Sequence, residues 1–110
     1  MPGNDLYTGT LDVIVLTALS NGFLHGYAIG SWIRKHSQEA LAVREGVLYP
    51  ALHRLERRNL VTARWGKTET GRRARFYSLT KAGRQHLVTE TKRLSEHSEA
   101  VLCLLRTPAG

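Results

Sequence analysis

Apolar residues along the chain follow the spacing of helices in four segments and the spacing of strands in two. The pattern predicts helices over residues 10–20, 25–36 and 47–58, strands over 60–65 and 74–79, and a long final helix from 81 to about 104. These elements predict a mainly α fold with a small β-hairpin.

The first two predicted helices supply the centre of the core. Residues 11–19 are apolar on nearly all sides of a helix, with Thr8 or Thr10 as the predicted N-cap. The inner face of the second helix is predicted to consist of Tyr27, Ile29, Trp32 and Ile33. Residues 37–43, which follow it, are compatible with a short edge strand or with a turn.

The third predicted helix has an apolar inner face and a basic, aromatic outer face. Leu48, Leu52 and Leu55 recur at i, i+4 and i+7 and mark the inner face. Proline lacks an N–H, so Pro50 should lie in the first turn, with the helix starting near Gly46 or Val47. Asn59 suits the C-terminal cap. The side chains predicted to project outwards are Tyr49, His53, Arg54, Arg57 and Arg58.

A polar, glycine-rich segment, 66–73, separates the two predicted strands and is expected to form a hairpin tip. Three helices followed by a basic hairpin constitute the winged helix-turn-helix arrangement, in which the third helix enters a DNA groove and the hairpin lies beside it as a wing. The tip has no structural need for several like charges, so Arg72, Arg73 and Arg75 are predicted to contact DNA.

The last predicted helix carries a modest coiled-coil pattern. Leu87, Leu94 and Val101 recur every seven residues, and Leu102 and Leu105 extend the seam near its end. A helix this long exceeds the core of so small a domain, so a partner chain is expected to cover it; the alternative is a helix folded over its own domain. We therefore expect a DNA-binding domain over 1–80 and a C-terminal dimerisation helix and tail over 81–110, within one structural unit.

Charge narrows the class of partner. The chain of 110 residues has 16 Lys plus Arg against 9 Asp plus Glu, a net charge of +7. Charge alone does not separate nucleic acid from an anionic membrane surface, but the basic residues cluster in the middle of the chain, which favours nucleic acid. A single cysteine, Cys103, suits a reducing compartment, and the apolar run 11–19 is too short to span a bilayer. We expect a cytoplasmic protein.

The sequence offers little support for catalysis or for a metal site. Its five histidines show no i, i+4 pair and no cysteine or carboxylate cluster at ligand spacing. We find no catalytic elbow, phosphate loop or paired-carboxylate motif, so no enzyme activity, cofactor or metal is predicted. Cys103 is interpreted as a buried, inert thiol, with redox sensing by a symmetric pair as the alternative.

Four sequence blocks, in order, resemble the PadR family of transcriptional regulators. They are Gly-Thr-Leu at 9–11, His-Gly-Tyr-Ala-Ile at 25–29, Gly-Val-Leu-Tyr-Pro-Ala-Leu at 46–52, and Tyr-Ser-Leu-Thr-Lys-Ala-Gly at 77–83. The short tail resembles the compact branch of the family, with one dimerising helix. The resemblance implies a homodimer that binds a palindromic operator and usually represses, with residues 47–58 in the major groove and the basic wing, 65–76, at the flanking backbone or minor groove.

The residues and the resemblance together define the candidate DNA-binding set: Arg44, Tyr49, His53, Arg54, Arg57, Lys67, Arg72, Arg73 and Arg75. The resemblance makes Tyr49 a phosphate or base-edge contact. Arg54 and Arg57 have the alternative of pairing with Glu56 or with a neighbouring chain. Glu45 departs from the family pattern; its carboxylate would repel phosphate but suits a helix N-terminus or a cytosine amino group. The candidate dimerisation residues are Leu87, Leu94, Val101, Leu102 and Leu105.

Two further possibilities concern ligands and partners. Flat aromatic effectors bind at the dimer centre in some compact relatives, but the final helix here has no tryptophan there, so Trp32 is predicted in the core and Trp65 at the wing base. The rival to a sequence-specific repressor is a winged-helix module for protein interaction or ligand sensing, with only non-specific nucleic-acid affinity. Outward Tyr49, Arg54 and Arg57 favour the repressor, because protein-binding surfaces are more often apolar.

Overall fold

Four helices and a three-stranded sheet make up the part of the chain that the structure, a computed structural model, describes, namely residues 9–109. Residues 1–8 of the predicted DNA-binding domain and residue 110 of the predicted tail lie outside that part. Thr8, one of the two predicted N-caps of the first helix, is among them. The elements in chain order are α1 (Thr10–Ala18), β1 (Leu24–His25), α2 (Gly26–His36), α3 (Glu45–Arg57), β2 (Val61–Lys67), β3 (Arg73–Leu79) and α4 (Lys81–Arg106).

The core lies where the inner faces of α1, α2 and α3 meet the base of the hairpin. Leu48, Leu52 and Leu55 are buried, as their spacing predicted. Burying each such side chain contributes on the order of 2 kcal/mol, so this stripe fixes the orientation of α3 against the core. The other large, fully buried side chains are Val15, Leu16, Leu19, Ile29, Ile33, Val61 and Tyr77.

Helix α3 ends in a left-handed residue, which confirms the prediction for Asn59. Asn59 has φ 61°, and the amides of Asn59 and Leu60 donate to the carbonyl oxygens of Glu56 and Leu55, each at 2.9 Å. This double bond pattern is the Schellman motif, which satisfies the carbonyl groups left open at a helix end. Because Leu60 completes the motif, β2 begins one residue later than predicted.

The prediction that Pro50 lies in the first turn is wrong. Helix α3 begins at Glu45, with Arg44 as its N-cap, so Pro50 occupies the sixth position and the helix continues through it to Arg57. Proline cannot donate to the carbonyl oxygen of Gly46 four residues before it. Burial of Leu48 in the core keeps the preceding residues helical, because their packing offsets the lost hydrogen bond.

The sheet contains the predicted hairpin and a short strand that the sequence did not indicate. β3 is central, with β2 antiparallel on one side and the two residues of β1 on the other. β2 and β3 extend to Lys67 and Arg73, beyond the predicted ends, so the wing is longer and its tip shorter than expected. β1 escaped prediction because two residues are too few for an alternating pattern.

The first half of the chain requires three corrections. Gly9, not Thr10, is the N-cap of α1, and α1 ends at Ala18 rather than at residue 20. Tyr27 does not belong to the inner face of α2, since its side chain is 77% exposed. Of the two alternatives for residues 37–43, the structure has the turn: residues 37–40 form it, with Gln38 and Glu39 both at positive φ, and residues 41–43 have no regular structure.

Helix α4 begins at the predicted cap and approaches closely the backbone of Leu60, which follows α3. The amide of Gly83 donates to Oγ1 of Thr80 at 2.9 Å, which is the expected N-cap bond. Gly83 is buried against the backbone of Leu60, and a Cβ on Gly83 would overlap the Leu60 carbonyl oxygen. A glycine is therefore required where α4 crosses the end of α3.

The two ends of α4 have different surroundings. Leu87, which the heptad pattern assigned to the dimerisation seam, is partly buried and packs against the core of its own domain. The last two turns extend away from that core, and Val101, Leu102, Leu104 and Leu105 are exposed. Cys103 is exposed there too, which corrects the interpretation of a buried thiol. No helix within residues 9–109 is both long enough and apolar enough to cross a membrane.

We predict that Gly83→Ala lowers the free energy of unfolding by about 2–3 kcal/mol, because the new methyl group displaces the backbone of Leu60. Gly46→Ala is the matched control, since a Cβ on Gly46 meets nothing within 4 Å. In the control, replacement of a helix glycine by alanine should raise the free energy of unfolding by at most about 1 kcal/mol. Urea denaturation at one fixed protein concentration measures both. Equal stability of the two variants would contradict the close approach at Leu60.

Candidate nucleic-acid interface

The most exposed stripe of α3 contains Gly46, Pro50, His53 and Arg57, at i, i+4, i+7 and i+11. These positions lie on one helix face, opposite the buried leucines. Within residues 9–109 the side chains of His53 and Arg57 have no hydrogen-bond or ion-pair partner. Two unpaired polar groups on the C-terminal half of an exposed helix face are available to bind another molecule.

Arg54 and Arg58 lie on the flank of α3 that faces α1. Nη2 of Arg54 is 3.2 Å from Oδ1 of Asp12, and Nη1 of Arg58 is 3.8 Å from Oδ2 of the same carboxylate. The alternative of pairing Arg54 with Glu56 is wrong, because Glu56 lies on the opposite flank. Asp12 thus holds two arginines at the edge of the exposed stripe.

Tyr49 does not project outwards as predicted. It packs against the core, and its ring lies over the backbone of Gly26, where a Cβ would overlap the hydroxyl group. Gly26 is the first residue of α2. Tyr49 therefore joins the start of α2 to α3 and is only partly exposed.

The hairpin face that turns towards α3 changes in character along its length. At the base this face carries Val61 and Ala63 from β2 opposite Leu79 and Tyr77 from β3, all packed in or on the core. Side chains alternate between faces along a strand, so the next residues on the same face are Trp65 and Lys67, opposite Arg75 and Arg73. Beyond the core the face is aromatic and basic.

Arg75 is tied to α3 by an ion pair. Its Nη2 lies 3.1 Å from Oε2 of Glu56, and both side chains are about one-third exposed, at 38% and 34%. Among the described residues nothing bonds to the buried Nε of Arg75. Partial burial makes this pair stronger than one fully in water. The pair joins the wing to α3.

Hydrogen bonds from one residue close the tip of the wing. The amide and Oγ1 of Thr68 bond to the carbonyl oxygen and amide of Arg72, at 2.8 and 3.1 Å, and the amide of Gly71 donates to the Thr68 carbonyl oxygen at 2.9 Å. Gly71 has φ 82°, which glycine adopts without strain. The tip is ordered, and it holds Arg72 and Arg73 exposed at the end of the two strands.

A groove of about 1010 Å³ separates α2 and the start of α3 from the wing. Its cations, Lys35, Arg72, Arg73 and Arg75, outnumber its carboxylates, Glu45 and Glu69. Burial raises the pKa of Tyr77, which lines the same groove, although Arg75 opposes that shift. The Tyr77 hydroxyl thus remains a neutral hydrogen-bonding group. The groove is electropositive with aromatic walls.

The structure brings most of the predicted DNA-binding residues to one side of the molecule. Tyr49, His53, Arg72, Arg73 and Arg75 all line the groove. Arg44 is exposed at the N-cap of α3, and Glu45 lies in the first turn, where the helix dipole favours a carboxylate. Sequence reasoning missed the roles of Asp12 and Glu56, because their arginine partners are remote in sequence. The sequence did contain a signal for the pairing of Trp65 with Arg75: side chains alternate between the two faces along each strand of a hairpin, which places these two residues on the same face.

Comparison with known proteins shows that this chain is similar to transcriptional regulators. The model of the Transcriptional regulator PadR-like family matches residues 15–89. A transcriptional regulator of Mycobacterium tuberculosis is 36% identical over 74 residues, which are 66% of this chain and 68% of that protein. A transcriptional regulator from Clostridium thermocellum superposes with a TM-score of 0.80 at 26% identity, covering 89% of this chain and 95% of the other.

One solved relative contains nucleic acid. The crystal structure of PadR from Bacillus subtilis in complex with operator DNA superposes with a TM-score of 0.67 at 27% identity. The match covers 74% of this chain and 46% of that protein, so the chain spans about half of its length.

We predict that Glu56→Gln lowers the free energy of unfolding by about 1 kcal/mol, because Arg75 loses its ionised partner at a partly buried position. Glu69→Gln is the charge-matched control at the exposed wing tip and should change stability by less than about 0.5 kcal/mol. Chemical denaturation at low and high salt measures both. A loss for Glu56→Gln no larger than that of the control would refute the ion pair as a link between wing and helix.

Proposed function

The chain belongs to the PadR-like family of transcriptional regulators, and from this premise we propose that it is a sequence-specific DNA-binding repressor that acts as a homodimer on a palindromic operator. The observation that carries the proposal is the two-part basic surface. His53 from the exposed stripe of α3 and Arg72, Arg73 and Arg75 from the wing line one electropositive groove.

In this proposal α3 enters the major groove, and His53 and Arg57, on the C-terminal half of its exposed stripe, contact base edges. Arginine and histidine donate to the acceptor atoms that guanine presents there. Gly46 and Pro50 are the small residues of the stripe, which allow the helix to approach closely. Tyr49 and Arg54 lie on its flanks, and we assign them to phosphates. Arg44, at the start of the helix, is assigned likewise.

The wing contributes most of the remaining charge. Lys67, Arg72 and Arg73 reach the flanking backbone or minor groove, where arginine binds two phosphate oxygens at once and enters narrow grooves. Arg75 also belongs to the proposed surface, but its pairing with Glu56 limits its reach. If the dimer makes about 8 phosphate contacts, the log–log dependence of binding on salt should have a slope of about −7.

The exposed end of α4 supports the homodimer. Apolar side chains on its last two turns lie clear of the domain's own core, which favours their burial against a second copy. Two copies related by a two-fold axis would place their recognition helices at half-sites about one helical turn apart. A transcriptional regulator acts where the DNA that it regulates lies, so we assign this repressor to the cytoplasm.

Fluorescence anisotropy on the DNA upstream of the protein's own gene, with a shuffled control across a salt series, tests the function. Binding of the upstream fragment roughly a thousandfold more tightly at physiological salt, at two chains per site, would support it. Equal and steeply salt-dependent binding of both fragments would instead favour the rival function, a winged-helix module for protein interaction or for sensing a small aromatic effector.

Arg57→Ala and Arg73→Ala should affect DNA binding differently. Arg57→Ala should reduce the free energy of binding to the operator by about 1–3 kcal/mol, because it removes a base contact. The loss on shuffled DNA should be much smaller. Loss of Arg73 should weaken both DNAs alike and flatten the salt slope by about 1 for each phosphate lost. Arg106→Ala, at the far end of α4, controls for net charge. Equal losses on both DNAs for Arg57→Ala would exclude its base-contacting role.

Substitution of Val101 and Leu105 by glutamate should convert the dimer into a monomer. These residues are exposed and lie on one face of α4, so the change places carboxylates at the proposed interface without altering the core. Sedimentation equilibrium measures the mass, and Lys92→Glu, at another exposed α4 position, is the control. A double variant that remains dimeric would show that the interface lies elsewhere.

A further inference from the structure

Trp65 is exposed on the wing, although tryptophan is the largest apolar side chain in the chain. The prediction that it packs the wing base is wrong, because 58% of its side chain is exposed. It lies on the hairpin face that turns towards α3, just beyond the residues that the core buries. An exposed tryptophan among arginines is typical of binding surfaces, where both residue types contribute much of the affinity.

The register of the hairpin places two arginines around the indole ring. Arg75 is directly opposite Trp65, and Arg73 is its diagonal neighbour on the same face. The guanidinium carbon of Arg73 lies 4.4 Å from the ring centroid, and that of Arg75 lies 5.8 Å away. The Arg73 distance is within the range of an attractive cation–π contact.

The two arginines differ in their freedom. Glu56 holds Arg75 at 3.1 Å, so Arg75 is anchored to α3. Within residues 9–109 Arg73 has no ion-pair partner, and the indole ring is the group that fixes its position. The ring therefore orders a guanidinium group that would otherwise sample many rotamers, and ordering before binding lowers the entropic cost of a phosphate contact.

The hairpin does not need Trp65 for its own support. On its opposite face the ring of Phe76 packs on Gly66, where an added Cβ would lie 3.0 Å from ring atoms, and contacts His25 edge-on. That face also carries Arg64, whose guanidinium carbon lies 3.7 Å from the ring centroid of Phe23. The hairpin thus has an aromatic brace on one face and an unpacked indole on the other.

We propose that Trp65 is a DNA-contacting and positioning residue of the wing, which packs its indole against the sugar–phosphate backbone of double-stranded DNA and presents Arg73 to the adjacent phosphate. The inference rests on the proposed DNA-binding function and deepens it. The contact involves backbone and not base edges, so it operates on duplex DNA of any sequence. It can therefore be tested without knowledge of the operator.

The first test uses intrinsic fluorescence. The chain has two tryptophans, so Trp32→Phe leaves Trp65 as the sole indole. Titration of this variant with a generic 30-base-pair duplex at low salt should quench or shift its emission, with the same saturation point as anisotropy of labelled DNA. Circular dichroism shows whether the variant is folded, and wild-type protein with both indoles is the second reporter. Emission that stays constant while anisotropy saturates would overturn the proposal.

The second test separates contact from structure by affinity. Trp65→Leu should weaken binding to the generic duplex about tenfold, whereas Trp65→Phe, which keeps a π face, should lose less. Trp65→Leu should also reduce the salt slope, as Arg73→Ala does, and the double variant should lose less than the sum of the two. Phe23→Leu is the matched control, since it removes the cation–π pair on the other face and should leave affinity unchanged.

The outcomes distinguish this inference from the function on which it rests. If wild-type protein binds DNA and Trp65→Leu binds equally well with the same salt slope, only the role of Trp65 is refuted. Equal losses for Trp65→Leu and Phe23→Leu would likewise refute it, since they would indicate a general effect on the hairpin. If wild-type protein binds neither upstream nor generic duplex, both the role and the DNA-binding function fail.

Discussion

The backbone of Asn59 and Leu60 is the point on which the rest of the structure depends. Oγ1 of Thr80 donates to the carbonyl oxygen of Asn59 at 2.8 Å, and the amide of Thr80 donates to the carbonyl oxygen of Leu60 at 3.1 Å. The amide of Leu60 completes the Schellman motif at the end of α3. The same Leu60 carbonyl lies against Gly83. The end of α3, the base of both long strands and the start of α4 are thus fixed within a few residues. The angle between recognition helix, wing and α4 follows from this junction.

Two carboxylates form ion pairs with three of the arginines on this surface, so only the remaining arginines are free to bind another molecule. Asp12 holds Arg54 and Arg58 on one flank of α3, and Glu56 holds Arg75 on the other. Such partly exposed pairs each add at most about 1 kcal/mol to stability, but they also fix long side chains that would otherwise move freely. The unpaired Arg57 and the ring-supported Arg73 remain available on the helix stripe and at the wing tip. Ordered flanks beside available cations give the surface a defined shape.

Much of this fold follows from local sequence patterns. The apolar stripe of α3, the cap at Thr80 and the left-handed Asn59 were predictable, because each depends on residues within one or two helical turns. The positions of Tyr49, Arg54 and Trp65 were not, because they depend on contacts with α2, α1 and the opposite strand. Pro50 shows the same limit: its local rule is sound, but burial of Leu48 keeps the turn before it helical.

Hydroxyl-radical footprinting of the upstream DNA tests the central claim most directly, namely that α3 and the wing form one DNA-binding surface on each copy of a two-fold dimer. The account predicts two symmetric sets of protected sugars, centred about 10 base pairs apart, with the outer protection of each set lost in Trp65→Leu and Arg73→Ala. A single asymmetric footprint, or uniform protection along the fragment, would contradict it.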